Sequence, residues 1–249
     1  MSPFSVGFIV LVFVFGGALL GMVLHAMLPE HHLSSDSKDV VKLAVGLIAT
    51  MSALVLALLI ASAKGSYDAQ RSELTQMSAN VILLDRILAH YGTEAMVERE
   101  LLRDFVTNMI AQIWPASDLQ PNELNRTEGD LLYDKIESLS PQNDAQRTLK
   151  VQAQKVCVDI AQTRLLLLEQ GGSSIPKPFL ILLIFWVAII FLSFGLFAPR
   201  NATVVTALLL CALSVSGAIF LILELDRPFI GIIQISSAPL HNAVSRIAK

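Results

Sequence analysis

Residues 43–63 read LAVGLIATMSALVLALLIASA, and residues 64–73 continue as KGSYDAQRSE. The first part carries no charge from Leu43 to Ala63, and about 20 apolar residues are enough for a helix to cross a bilayer. The second part turns polar at Lys64 and keeps a helical pattern. Gly46, Thr50, Ala53, Ala57 and Ala61 recur at intervals of four, three, four and four. That is the helical period, so these small side chains share one stripe. On a helix otherwise made of Leu, Val and Ile, such a stripe faces either another helix or a lumen.

Three further segments have span length: Phe4–Leu28, Phe179–Ala198 and Ala202–Leu225. They raise the hydrophobic share to 54% and the mean hydropathy to +0.62, which excludes an ordinary soluble domain. The predicted fold is an all-α membrane protein with four transmembrane helices and a helical cytosolic bundle between the second and third. Residues 1–63 hold transmembrane helices one and two, and 64–177 the cytosolic domain. Residues 178–225 hold helices three and four, and 226–249 a cytosolic C-terminal tail. The first segment has no positive n-region, since the first Lys is Lys38, and its apolar run outlasts a signal-peptide core. It is read as a retained anchor. Within it Gly17 and Gly21 form a small-xxx-small pair, a packing signal for helices in lipid.

The middle of the chain holds twelve of the 18 Lys/Arg and sixteen of the 21 Asp/Glu, with both signs alternating as on solvated helix faces. Leu74, Met77, Val81, Leu84 and Leu88 advance by three or four, so the second span is expected to run on past the membrane as one helix. Gly92-Thr93 breaks it, with Thr93 as N-cap and Glu94 and Glu98 near the new start. The next helix buries Leu101, Phe105, Met109 and Ile113 and stops at Trp114-Pro115. A turn over residues 116–122 leads to a helix near 123–139 that buries Leu124, Leu131 and Ile136, with Gly129 a weak point. Ser140-Pro141 caps a last helix from Gln142 to about Gln170. Gly171-Gly172 ends it, and Pro176 and Pro178 bracket the entry to the third span.

Sites of chemistry are scarce. No Ser/His/Asp set, Gly-rich phosphate loop, carboxylate dyad or metal spacing occurs, so neither an enzyme nor a cofactor or metal is expected. His31 and His32 lie among carboxylates in the first connection and read as a solvated loop, the alternative being a metal site or a pH-sensitive mouth. Cys157 and Cys211 sit in polar and apolar surroundings respectively, so no bridge is expected and both read as small buried hydrophobes. A net charge of −3 says nothing about nucleic acid, and no basic run is long enough to argue for it, so no nucleic-acid partner is expected. The short connections carry Lys38, Arg200 and, at the edge, Lys42. The other side has Lys64, Arg71, Lys177, Arg227, Arg246 and Lys249. The positive-inside rule therefore puts both termini and the bundle in the cytoplasm.

The topology, with a helical domain inserted between spans two and three, is similar to the bestrophin architecture. Ser66-Tyr67-Asp68 begins like the SYDRWWEAR run that follows the second span of bacterial bestrophins. Glu224, Asp226, Pro228-Phe229, Gly231 and Pro239-Leu240 fall in the order of an acidic residue, PFG and an LPL-like end. Ala69 replaces the cation after Tyr-Asp, the aromatic pair is absent, and Ile230 separates Phe229 from Gly231. The chain most resembles a bestrophin-like branch of bacterial inner-membrane proteins.

That resemblance implies a homo-oligomer in the lipid bilayer, usually of five subunits, around a pathway for inorganic anions lined by the second span. Alignment on Ser66-Tyr67-Asp68 puts the constricting positions near Gly46, Thr50 and Leu54, with Leu58 facing the same axis. Tyr67, Asp68, Asp226, Pro228, Phe229 and Gly231 are expected to form a cytosolic packing motif beneath the spans. The acidic calcium cluster of eukaryotic bestrophins has no counterpart, so no calcium control is expected. The competing reading is a membrane-anchored interaction or sensory protein whose cytosolic bundle binds a partner.

Overall fold

An apolar run in lipid has no water to satisfy its backbone N–H and C=O groups, so it closes them on itself as helix. The computed structural model describes residues 2–28, 35–114, 125–169 and 175–247, and among them all regular structure is helical. The elements are α1 (Pro3–Met27), α2 (Ser35–Tyr91), α3 (Met96–Ile113), α4 (Asn125–Ser138), α5 (Asp144–Glu169), α6 (Lys177–Phe197), α7 (Ala202–Leu225) and α8 (Ala238–Val244). Helices α1, α2, α6 and α7 are each long and apolar enough to cross a membrane. At 57 residues, α2 runs roughly 85 Å. The chain divides into two units, 1–67 with 173–226, and 68–172 with 227–249.

In the first unit α1 packs along both α6 and α7. Its contact with α6 is made by small residues, as the Gly17–Gly21 pair predicts. A Cβ on Gly17 would sit 3.1 Å from the Ala188 carbonyl oxygen. One on Gly21 would overlap the Leu192 carbonyl, and one on Gly195 the Ala18 carbonyl. Close backbone approach of this kind is what holds helices together where lipid is as apolar as their side chains. Val10, Val14 and Ala18 of α1 form the core with Leu59 and Ala63 of α2, Leu183, Val187 and Phe191 of α6, and Ala212 and Ile219 of α7.

Polar groups pin the helix ends. The Ser2 hydroxyl accepts from the Ser5 N–H at 3.2 Å, and the Asn201 amide oxygen accepts from the Val204 N–H at 2.8 Å, capping α1 and α7. At the far end of α1, the Arg200 guanidinium donates to the Met22 carbonyl, and His25 Nδ1 lies 2.8 Å from the Leu196 carbonyl oxygen. The Leu196 carbonyl is one that the C-terminus of α6 leaves unpaired, whereas Met22 lies a turn further into α1.

In the second unit the expected face of α2 is the buried one: Leu74, Met77, Val81, Leu84 and Leu88 are all at most 1% exposed. Phe105, Met109 and Ile113 of α3 are buried with them, but Leu102 takes the place expected of Leu101, which is only half-buried. Likewise Leu132 is buried in α4 whereas Leu131 is 44% exposed. In each case two adjacent leucines compete for one inward position, and spacing alone does not choose between them. Gly129 has a packing reason, since a Cβ there would meet the Phe105 ring at 3.3 Å.

The helix starts also differ from expectation. Gly92 breaks α2 with φ 129°, a 3-10 turn covers Thr93–Ala95, and α3 begins only at Met96. Thr93 therefore does not cap α3. Helix α5 starts at Asp144 rather than behind Pro141, because the Asn143 side chain accepts from the Gln146 N–H at 2.8 Å. Gln146 also donates to the Tyr91 carbonyl at 2.9 Å, tying α5 to the end of α2. Asp85 of α2 and Arg99 of α3 pair at 2.7 and 3.3 Å. The expectations for His31 and His32, Pro115, the 116–122 turn, Leu124 and Gly171-Gly172 lie outside the described residues.

Cys157 is buried, as expected, but Cys211 is exposed on α7. Burial pushes the Cys157 thiol up from 9.0 to about 11. Only the thiolate is a good nucleophile, so maleimide labelling of Cys157 in the native protein is expected to stay slow at pH 7–8 and to accelerate on unfolding. Fast native labelling at pH 7, read by mass spectrometry, would contradict this burial.

Candidate functional site

The small stripe on α2 does not pack against the chain's own core. Val45, Ser52, Leu59 and Ala63 are the buried residues of this part of α2. At 100° per residue, the stripe of Gly46, Thr50, Ala53, Ala57 and Ala61 centres roughly 135° away from them. All five are exposed in the single chain. Leu54 and Leu58 widen that sector on the side away from the core and are 63% and 69% exposed. A Cβ on Gly46 would meet nothing within 4 Å. The Thr50 hydroxyl donates to the Gly46 carbonyl at 2.9 Å, so its proton is engaged within the helix while its oxygen lone pairs stay available. The structure thus brings Gly46, Thr50, Leu54 and Leu58 onto one uncovered face.

The residues assigned to the packing motif divide between two settings. Tyr67 is half-buried, with Lys64 Nζ 5.3 Å from its ring centroid, and Asp68 is exposed. Asp226 is buried at the C-cap of α7. Beyond it, the Ile235 N–H donates to the Pro228 carbonyl at 2.7 Å and closes a loop. Gly231 takes φ 136° in that loop, a conformation that side chains with a Cβ rarely adopt.

Phe229 meets the Trp114 ring edge-on at 5.5 Å, and Trp114 Nε1 donates to the Ile235 carbonyl at 2.9 Å. Further along, the Ser78 hydroxyl donates to the Pro239 carbonyl at 2.8 Å, and Leu240 is fully buried. Trp114 was legible only as a helix stop. Its signal was the indole N–H, which usually finds a partner when the ring packs into a protein, as the half-buried Trp114 does here. Ser52 is also absent from the sequence reading of the site: its side chain lies on the core face of α2, 6% exposed.

A family model described as a bestrophin-like domain matches residues 12–240. No curated protein and no solved structure matches the chain.

Proposed function

The chain belongs to the bestrophin-like family, and from that membership we propose that it forms a homo-oligomeric ion channel with α2 lining the pathway. It is an integral membrane protein, with four helices of span length among the described residues. The observation that carries the proposal is the uncovered stripe of α2. One face of that helix is buried in its own unit while Gly46, Thr50, Leu54 and Leu58 are exposed in the single chain. Burial of small side chains against lipid gains little, because lipid and a Leu-rich surface are equally apolar. A lumen is the environment in which small residues and a ring of Leu both have a use.

In this reading Leu54 and Leu58 form a narrow apolar ring that closes by dewetting, and Thr50 offers one polar step beside it. The conducted ions are small inorganic anions, as in the family, and five subunits surround the axis. The protein resides in the bacterial inner membrane with both termini cytoplasmic. The packing-motif residues Tyr67, Asp68, Asp226, Pro228, Phe229 and Gly231 then lie just inside the cytoplasm. The deciding measurement is the particle symmetry of the detergent-purified protein. A five-fold ring with α2 innermost is the expected image, and a monomer or dimer would end the channel reading. Protease added to right-side-out cells should spare residues 64–177; cleavage there would reverse the orientation.

A further inference from the structure

We propose that a cleft between α2 and the C-terminal helix α8 binds a small phosphate-bearing anion, held by Arg86 and Arg246. The cleft encloses about 230 Å³ and is lined by Ile82, Asp85, Arg86, Ala243, Arg246 and Ile247. Its chemistry is sharply divided. Ala243 and Ile247 are buried and Ile82 is half-buried, giving an apolar floor. Arg86 and Arg246 are exposed at its edge, and among the described residues neither guanidinium has an ion-pair partner.

The one acid in the cleft, Asp85, does not neutralise them. Its two carboxylate oxygens are taken by Arg99 at 2.7 and 3.3 Å. Among the described residues, the cleft is therefore left with two positive charges that no carboxylate pairs. Guanidinium is the group whose planar fork of donors matches phosphate oxygens two at a time. The volume sets the size of the ligand. Drug- and cofactor-sized pockets run to about 300–1,000 Å³, and the smaller volume of this cleft matches a phosphate ester of a few carbons. The ester's carbon body would rest on Ile82, Ala243 and Ile247 while both arginines hold its phosphate.

The test uses the full chain in phosphatidylcholine nanodiscs, titrated calorimetrically with inorganic phosphate and with butyl phosphate. Butyl phosphate should bind more tightly than inorganic phosphate, because only it covers the apolar floor. Arg86→Gln and Arg246→Gln should each weaken it about tenfold or more. Arg103→Gln, an exposed arginine that does not line the cleft, should leave it unchanged. Both cleft arginines are exposed, so the variants should keep the wild-type melting temperature. Including phosphatidate in the nanodiscs separates two sources of the phosphate: competition assigns it to a lipid headgroup, and no competition to a soluble ester. Either result keeps the site. A flat butyl phosphate titration, or cleft variants that behave like Arg103→Gln, would overturn it. Since the titration does not read conduction, this site stands or falls apart from the pore.

Discussion

Replacing Leu54 by Ala should raise anion flux through vesicles reconstituted with this protein, on the order of tenfold, the change that ~1.4 kcal/mol of barrier produces. Leu54 is 63% exposed on the half of α2 that faces away from its own core, so its truncation leaves no cavity within the subunit. What it changes is the width and wetting of whatever that face encloses. A ring of Leu closes a narrow pore because water is unstable between apolar walls, and a ring of Ala admits it. Gly46→Leu and Thr50→Leu should act in the opposite sense and bring flux toward the empty-vesicle level. The Thr50 change also removes a hydroxyl bonded to the Gly46 carbonyl at 2.9 Å, an exchange that the helix tolerates because a backbone carbonyl there already has its helical partner. If both Leu variants instead break the assembly apart, and Leu54→Ala conducts no better than empty vesicles, the stripe is a seam between subunits and no pore exists along it.

How far the sequence reached depends on which force decided each feature. Periodicity decided the helices, since the 3.6-residue repeat and the span lengths are properties of the chain itself. The buried row from Leu74 to Leu88 was therefore legible to the residue. Choices between adjacent equivalents were not. Leu101 against Leu102, and Leu131 against Leu132, turn on a rotation of about 100° that only the packed partner fixes. Helix starts were obscured for a related reason. Thr93 before α3, and Ser140 and Asn143 before α5, are all good caps. A 3-10 turn displaced the first, and Asn143 prevailed over Ser140 where Gln146 reaches both back to its own turn and across to Tyr91.

The stripe itself could be read as a row of small side chains, but not as covered or uncovered. That depended on Val45, Ser52, Leu59 and Ala63 taking the core-facing side of the same helix. Cys211 shows the converse limit: an apolar span looks equally buried on every face until its neighbours choose one.

Gly195→Ala should be the most damaging glycine-to-alanine change among the described helices, where its added Cβ makes the shortest contact. Its added methyl would land on the Ala18 carbonyl of α1, an obstacle made of backbone rather than a movable side chain. The helices would have to separate, and with them the contacts of Val14 and Ala18 with Leu183, Val187 and Phe191 in the core of the first unit. Overpacking of this kind costs on the order of 3 kcal/mol. For a chain of this size that corresponds to a fall in melting temperature of roughly 6–12 °C. Gly21→Ala should behave alike, since its methyl would meet the Leu192 carbonyl.

Gly16, Gly46 and Gly217 provide the comparison. A Cβ on any of them meets nothing within 4 Å, and Ala is the better helix former by about 1 kcal/mol. Their Ala variants should therefore melt at or slightly above the wild-type temperature. Thermal unfolding of the purified variants in one detergent separates the two groups. Were Gly195→Ala to melt with Gly217→Ala, α1 and α6 would not cross at these glycines. The same series bears on the pore: a Gly46 variant that melts normally yet loses flux has lost it outside its own subunit's fold.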